Sequence, residues 1–121
     1  MRAVIQRVSQ ASVTINGVKI AEIQSWLLVL LGVVDSDTSE DIEWLSNKLT
    51  NIRIFNDADG VMNISLKNSH GSAIVVSQFT LYAHTKKGNH PSYIKAAKPE
   101  IAKPLYEQFV QQFETDLEQT V

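Results

Sequence analysis

The stretch Trp26-Leu27-Leu28-Val29-Leu30-Leu31-Gly32-Val33-Val34 indicates how this chain folds. Its apolar residues occupy both alternating faces, which predicts a central β-strand that is covered on both sides. The stretch has 9 residues, less than half of the roughly 20 that a membrane-spanning helix needs. We therefore expect it to form the middle strand of a sheet inside a soluble domain.

A hairpin is predicted before this run and a helix after it. The residues between 11 and 20 alternate between apolar and polar, and Asn16-Gly17 interrupts them, which is a strong signal for a type I′ turn. Asp37-Thr38-Ser39-Glu40 resembles a capping box in which the Asp37 side chain accepts from first-turn amides. Apolar residues then recur at spacings of three and four, which predicts a helix ending near Ile52.

Short strands are predicted beyond the first helix. The segment Asn56-Asp57-Ala58-Asp59-Gly60 is interpreted as a hairpin turn, because a calcium loop would need a carboxylate where Phe55 stands. A return strand is expected over residues 61–66 and another turn at Asn68-Ser69-His70-Gly71. A buried strand then runs from Ala73 into residues 77–82.

The last part of the chain is predicted to be a long loop, residues 83–98, followed by a long amphipathic helix. Apolar side chains recur every four residues from Ile101 to Leu117, which is the spacing of one helix face. Pro99 suits the first helical turn, whereas Pro104 is expected to kink the helix or delay its start. Together the elements predict one mixed α/β domain over residues 1–121, with largely antiparallel, barrel-like sheets and two helices.

Composition excludes several classes of protein. The 121 residues contain no cysteine, so neither a disulfide scaffold nor a thiolate nucleophile is possible. The sequence also lacks GxGxxG, phosphate-loop and HExxH motifs, and we expect neither a metal nor a cofactor. The N-terminus does not read as a signal peptide, which favours a cytoplasmic location without membrane attachment.

Charge is distributed unevenly along the chain. The formal net charge is −2, yet residues 86–103 carry five lysines against one glutamate. A basic segment on an otherwise acidic protein is able to dock phosphates. Solvated loop lysines explain the same pattern equally well.

The segment Ser77-Gln78-Phe79-Thr80 lies at the end of a buried strand, where a rigid backbone opens to solvent. Its hydroxyls can act as nucleophiles or as substrate donors, and its backbone amides can form an oxyanion hole. A nucleophile needs a base, and His84 and His90 are the nearby candidates, whereas His70 is interpreted as a surface residue. A purely structural role, with the hydroxyls bonded to backbone, remains an alternative.

Three stretches resemble the D-aminoacyl-tRNA deacylase family in one register: residues 1–8 (MRAVIQRV), 75–82 (VVSQFTLY) and 87–93 (KGNHPSY). The resemblance extends through the intervening helix, Arg53-Ile54-Phe55 and Met62-Asn63, and so covers essentially the whole chain. It implies a homodimer that hydrolyses the ester between a D-amino acid, or glycine, and the terminal ribose of tRNA, with no role for DNA.

The resemblance also implies roles for individual residues. Ser77, Gln78, Phe79 and Thr80 would line the pocket, with backbone amides near Gln78 and Phe79 holding the carbonyl and the RNA 2′-hydroxyl assisting. The other implied site residues are Arg7, which would brace the pocket, Pro91, Ser92 and Tyr93 beside the acceptor end, and Lys86, Lys87 and Lys95 as tRNA contacts.

One feature departs from the family pattern. Members carry a Gly-cisPro pair that enters the partner's site and excludes L-amino acids, but Pro91, Pro99 and Pro104 do not follow a glycine. We therefore expect either a C-terminally incomplete chain or a shortened relative that has lost discrimination, in both cases with weak or unselective activity. Two other hypotheses stay open: a non-catalytic tRNA-binding or dimerisation module, and a hydroxyl-nucleophile hydrolase of small esters.

Overall fold

The computed structural model describes residues 1–83, 85–86 and 88–121. Seven strands and three helices follow in the order β1 (Arg2–Val8), β2 (Ala11–Ile15), β3 (Val18–Ile23), β4 (Trp26–Gly32), α1 (Ser39–Asn51), β5 (Arg53–Asn56), β6 (Met62–Ser65), α2 (Leu66–Ser69), β7 (Ser72–Ser77) and α3 (Pro99–Leu117). A 3-10 turn, Phe79–Leu81, lies directly after β7. The mixed α/β class is confirmed, and α2 is a third helix that the sequence did not predict.

The predicted central strand is β4, which lies between β1 and β7. It pairs antiparallel with β1 and parallel with β7. Leu27, Val29 and Leu31 are fully buried on one face, whereas Leu28 and Leu30 on the other are half-buried. The prediction of coverage on both sides was therefore correct for one face and only partly correct for the second.

The other two sheets are hairpins. Asn16 and Gly17 have φ values of 51° and 78°, which fit the predicted type I′ turn between β2 and β3. The strands β5 and β6 form the second predicted hairpin. Its turn is closed by the Asp57 carboxylate, which accepts the Asp59 and Val61 amides at 2.9 and 3.1 Å.

The N-cap of helix α1 lies one residue later than the sequence indicated. Thr38 is the N-cap, and its amide donates to the Asp41 carboxylate at 2.8 Å. Asp37 instead accepts the Val34 amide at 2.8 Å and pairs with the Met1 ammonium at 2.6 Å. Because the ammonium and the Asp37 side chain are both nearly inaccessible to water, Asp37 ties the chain's N-terminus to the end of β4.

The helix α3 covers the buried face of the three-stranded sheet together with α1. Phe109 and Phe113 stack at 5.5 Å between ring centroids and are completely buried. The helix begins at Pro99 and includes Pro104, so Pro104 does not delay its start. Within the described part of the chain, no helix is long and apolar enough to cross a membrane.

Candidate active site

The candidate site forms where β7 ends beside β4. Leu31 is the partner of Ser77 in the parallel ladder, and the Gln78 amide continues this ladder by donating to the Leu31 carbonyl at 2.7 Å. The chain then turns through Phe79–Leu81, with the Tyr82 amide donating to the Phe79 carbonyl at 3.0 Å. This geometry corrects one expectation, because the Gln78 amide is already used by the sheet.

The first two amides of the turn differ from the Gln78 amide in their hydrogen bonding. Among the described residues, the Phe79 and Thr80 amides make no backbone hydrogen bond. The first amides of a helical turn lack internal acceptors by construction. Phe79 and Thr80 are therefore the backbone donors that this turn offers to a substrate oxygen.

Gly32 at the end of β4 lets the turn pack closely against the sheet. A Cβ at this position would lie 3.0 Å from the Leu81 Cβ and 3.1 Å from the Tyr82 ring. Such a contact is tight, so a larger residue would displace the turn. The glycine within the apolar run thus has a specific packing role.

Arg2 holds the turn from the opposite side. Its guanidinium donates to the Leu81 carbonyl at 2.9 Å and lies 4.3 Å from the centroid of the Tyr82 ring. Burial raises the pKa of Tyr82, Asp37 adds to this rise, and Arg2 partly offsets it. The neutral phenol therefore packs beneath the cation.

A cavity of about 510 Å³ opens beside the turn. The residues that line it are Ser77, Phe79, Tyr93, Ala96, Ala97, Lys98, Pro99, Ala102, Lys103 and Tyr106. Phe79 and Tyr93 meet edge to face at 5.1 Å, and Phe79 is 56% exposed. The cavity thus combines an apolar wall, an accessible aromatic pair and two cations.

Tyr106 fixes one wall of the cavity. Its hydroxyl donates to the Val75 carbonyl at 2.8 Å, which joins α3 to β7. Burial raises the pKa of Tyr106, so this phenol stays neutral and is a poor proton acceptor near neutral pH.

The structure brings only some of the predicted site residues to the cavity. Ser77, Phe79 and Tyr93 meet at the cavity, whereas Gln78 and Thr80 hydrogen-bond to each other through their side chains and do not line it. Pro91, Ser92, Lys86 and His90 are exposed on the following loop, and Lys95 lies in a neighbouring cleft with Arg2. His84 and Lys87 lie outside the described residues.

Arg7 is at the other end of the sheet. It faces Leu27 in the β1–β4 ladder, whereas Ser77 faces Leu31. Its guanidinium donates to the Ile54 carbonyl at 3.0 Å and lines a separate cleft with Ser9, Ser25 and Trp26. Within one chain, Arg7 therefore does not brace the Ser77 cavity as the resemblance implied.

Sequence reasoning missed the α3 side of the cavity. In the sequence, Lys98 and Lys103 are simply part of the basic segment 86–103, and Tyr106 lies within the predicted amphipathic helix. A tyrosine on an apolar helix face was a usable signal, because a buried phenol requires a hydrogen-bond partner. Which strand supplies that partner is a tertiary property.

Comparisons with known proteins identify relatives over nearly the whole chain. Residues 4–121 match the family model described as D-Tyr-tRNA(Tyr) deacylase. A D-aminoacyl-tRNA deacylase from Flavobacterium psychrophilum is 64% identical over 97% of this chain and 78% of its own length. One from Christiangramia forsetii is 61% identical with the same coverage.

Two solved structures share the fold. A c-Myc DNA unwinding element binding protein superposes with a TM-score of 0.90 at 37% identity, over 95% of this chain and 77% of that one. A probable eukaryotic D-amino acid tRNA deacylase superposes with a TM-score of 0.81 at 18% identity, over 96% and 68%. With the family model covering nearly all its residues, the chain belongs to the D-Tyr-tRNA(Tyr) deacylase family.

Proposed function

We propose that this chain hydrolyses the ester that joins a D-amino acid, or glycine, to the 3′-terminal ribose of tRNA. The observation that carries this proposal is the turn after β7. Among the described residues its Phe79 and Thr80 amides make no backbone hydrogen bond, and Phe79 lines a cavity where it forms an accessible aromatic pair with Tyr93. An aminoacyl ester is already activated, so a site that positions it and stabilises an oxyanion is sufficient for catalysis.

Hydrolysis proceeds by attack of a water oxygen on the ester carbonyl carbon. The carbonyl oxygen becomes an oxyanion, and the Phe79 and Thr80 amides donate to it. The bond between the carbonyl carbon and the ribose oxygen then breaks, and the ribose oxygen leaves with a proton that originates from the water. The products are the free amino acid and tRNA. Loss of one such oxyanion donor typically costs about 10²–10³ in rate.

We propose that the substrate's own 2′-hydroxyl relays the proton, accepting it from the attacking water and passing a proton on to the leaving 3′-oxygen. Among the described residues that line the cavity, none carries a carboxylate or an imidazole. Tyr106 is unsuited to the task, because burial raises its pKa and its hydroxyl is donated to Val75. The Thr80 hydroxyl already accepts from the Gln78 side chain. The ribose hydroxyl adjacent to the ester is therefore the group proposed to transfer this proton.

The partners follow from the proposed substrate. Lys86 and Lys95 are exposed on the loop after the turn, and Pro91 and Ser92 lie beside them, which suits docking of RNA phosphates. Since tRNA is charged in the cytoplasm, we assign the protein to that compartment. Competition by an excess of single-stranded DNA tests the preference for RNA, and equal competition would contradict it.

Self-association into a homodimer is supported by exposed apolar side chains on the first three strands. Val4, Ile15, Val18 and Ile20 are each more than half exposed, and such surfaces commonly mark interfaces. Light scattering measures the molar mass directly. A mass equal to one chain at micromolar concentration would exclude the dimer.

The activity itself is tested with D-Tyr-tRNA and L-Tyr-tRNA. We expect the protein to release D-tyrosine faster than buffer does, and the ratio of the two rates measures its selectivity for handedness. If neither ester is cleaved faster than in buffer, the non-catalytic tRNA-binding module is the correct interpretation instead.

Substitutions separate backbone catalysis from a hydroxyl nucleophile. If the amides act, Thr80→Ala and Ser77→Ala each lower kcat by less than about tenfold, since the amides remain. If either hydroxyl were the nucleophile, its removal would instead lower kcat by about 10⁶, as removal of a catalytic serine does. Thr80→Ser, which keeps the hydroxyl, is the matched control. Trapping of an acyl-enzyme at either residue would overturn the proposed mechanism.

A further inference from the structure

The only charged side chains among the described residues that line the Ser77 cavity are Lys98 and Lys103. Lys98 is the N-cap of α3, and Lys103 lies one and a half turns further along the same helix. Both are exposed, and Ala96, Ala97 and Ala102 contribute apolar surface to the same cavity. The cavity is therefore apolar in its interior and cationic along the side formed by α3.

These two cations are not neutralised within the described part of the chain. The ion pairs found there join Met1 to Asp37 and Lys19 to Glu22. Glu100 lies between the two lysines in sequence but does not line the cavity. An anionic group on a ligand would therefore find two available partners.

The chemistry of the proposed substrate identifies that group. The carboxylate of the amino acid is consumed in the ester, and its amino group is a cation that the lysines repel. The nearest anion is the 5′-phosphate of the same terminal nucleotide. Lysine suits such a contact, because its flexible stem carries a compact charge with three donors.

We propose that Lys98 and Lys103 form a phosphate subsite for the esterified nucleotide. The inference rests on the proposed function and specifies the orientation of the substrate in the cavity. The phosphate lies against α3, and the aminoacyl group points away from the lysines, toward the Phe79 and Thr80 amides. Like-charge repulsion disfavours the reversed orientation. The two lysines are thus specificity residues and take no part in bond breaking.

The test uses substrates that differ only in the phosphate. Three substrates are compared: D-Tyr-tRNA, 5′-AMP with D-tyrosine esterified to its ribose 3′-oxygen, and adenosine with the same ester. Each is tested with the wild-type protein and with the double variant Lys98→Gln/Lys103→Gln. The double variant Lys48→Gln/Lys67→Gln, which removes the same charge outside the cavity, is the control.

We expect the cavity variant to lower kcat/KM about tenfold or more on both phosphate-bearing substrates, chiefly through KM. The phosphate-free ester should change by less than about twofold. For a single strand, each lost phosphate contact also lowers the salt slope of log kcat/KM by about 0.7. Equal losses on all three substrates, or equal losses in the control variant, would overturn the phosphate assignment.

A binding measurement keeps the inference independent of turnover. Titration with 5′-AMP and with adenosine should show tighter binding of 5′-AMP to the wild type, and this preference should disappear in the cavity variant. If the wild type hydrolyses none of the esters but keeps the preference, the proposed reaction fails and the phosphate subsite stands. If the wild type shows no preference for 5′-AMP, the subsite is wrong.

Discussion

The three-stranded sheet carries a cleft at each end, and the two differ in what the backbone contributes. The Ser77 cavity contains Phe79, Tyr93 and cationic side chains, while the Arg7 cleft contains Trp26, Phe55 and a guanidinium. Their side-chain types are thus similar. Only the Ser77 end adds a 3-10 turn, and within the described part of the chain the first two amides of that turn make no backbone hydrogen bond.

This difference shows that residue type alone does not distinguish a reactive site from an ordinary cleft. At the Arg7 end the guanidinium donates to the Ile54 carbonyl, and the Trp26 and Phe55 rings meet edge to face at 5.1 Å. Those contacts bind the hairpin of β5 to the sheet. Within one chain, the Arg7 end is accordingly interpreted as a structural contact, and the Ser77 end as the candidate active site.

The largest expected effect comes from overpacking the Arg7 end. A Cβ at Gly71 would lie 2.6 Å from the Trp26 ring and 2.7 Å from Leu66. Gly71→Ala should therefore lower the free energy of unfolding by about 1–3 kcal/mol, measured by urea denaturation. If the two ends are independent, kcat per folded molecule stays unchanged, and a large fall in kcat would break the comparison.

A smaller effect is expected at the Ser77 end from Arg2→Ala. The substitution removes the hydrogen bond to the Leu81 carbonyl and the cation above Tyr82. A charged hydrogen bond contributes about 1.5 kcal/mol, so we expect kcat to fall about tenfold while KM changes little. Arg2→Lys should rescue part of the rate. The control is Arg53→Ala, since Arg53 bonds to Asn63 on a different sheet. An equal loss in that control would show that Arg2 does not position the turn.

The smallest effect is expected from Tyr106→Phe. Loss of the hydrogen bond to Val75 should cost about 1 kcal/mol of stability near neutral pH. Because burial raises the pKa of Tyr106 above its ordinary value of 10.0, its contribution is fully present below pH 10 and is lost as the pH rises through the folded value. Alkaline denaturation curves should therefore be less steep for the variant. Identical curves for both proteins would refute this role for the phenol.

Much of the fold was predictable because the signals are local. Asn16-Gly17 predicted its turn since both residues accept positive φ, and the apolar run from Trp26 predicted the central strand because apolar residues on both faces suit a middle position in a sheet. The helix α2 was missed because four residues are too few to show a helical period. The capping box was misplaced by one residue because Asp37 and Thr38 are both good caps.

The sequence by itself determined the two hairpins, the two long helices, the central position of β4 and, through motifs in one register, the family. Only the tertiary structure decided that the Gln78 amide is used by Leu31 while the Phe79 and Thr80 amides are unpaired. Only it separated Arg7 from Ser77 and brought Lys98, Lys103 and Tyr106 to the same cavity. The physical reason is the sequence separation of the residues involved. Turns and strand patterns depend on neighbours in sequence, whereas hydrogen-bond acceptors and cavity walls come from residues far apart in the chain.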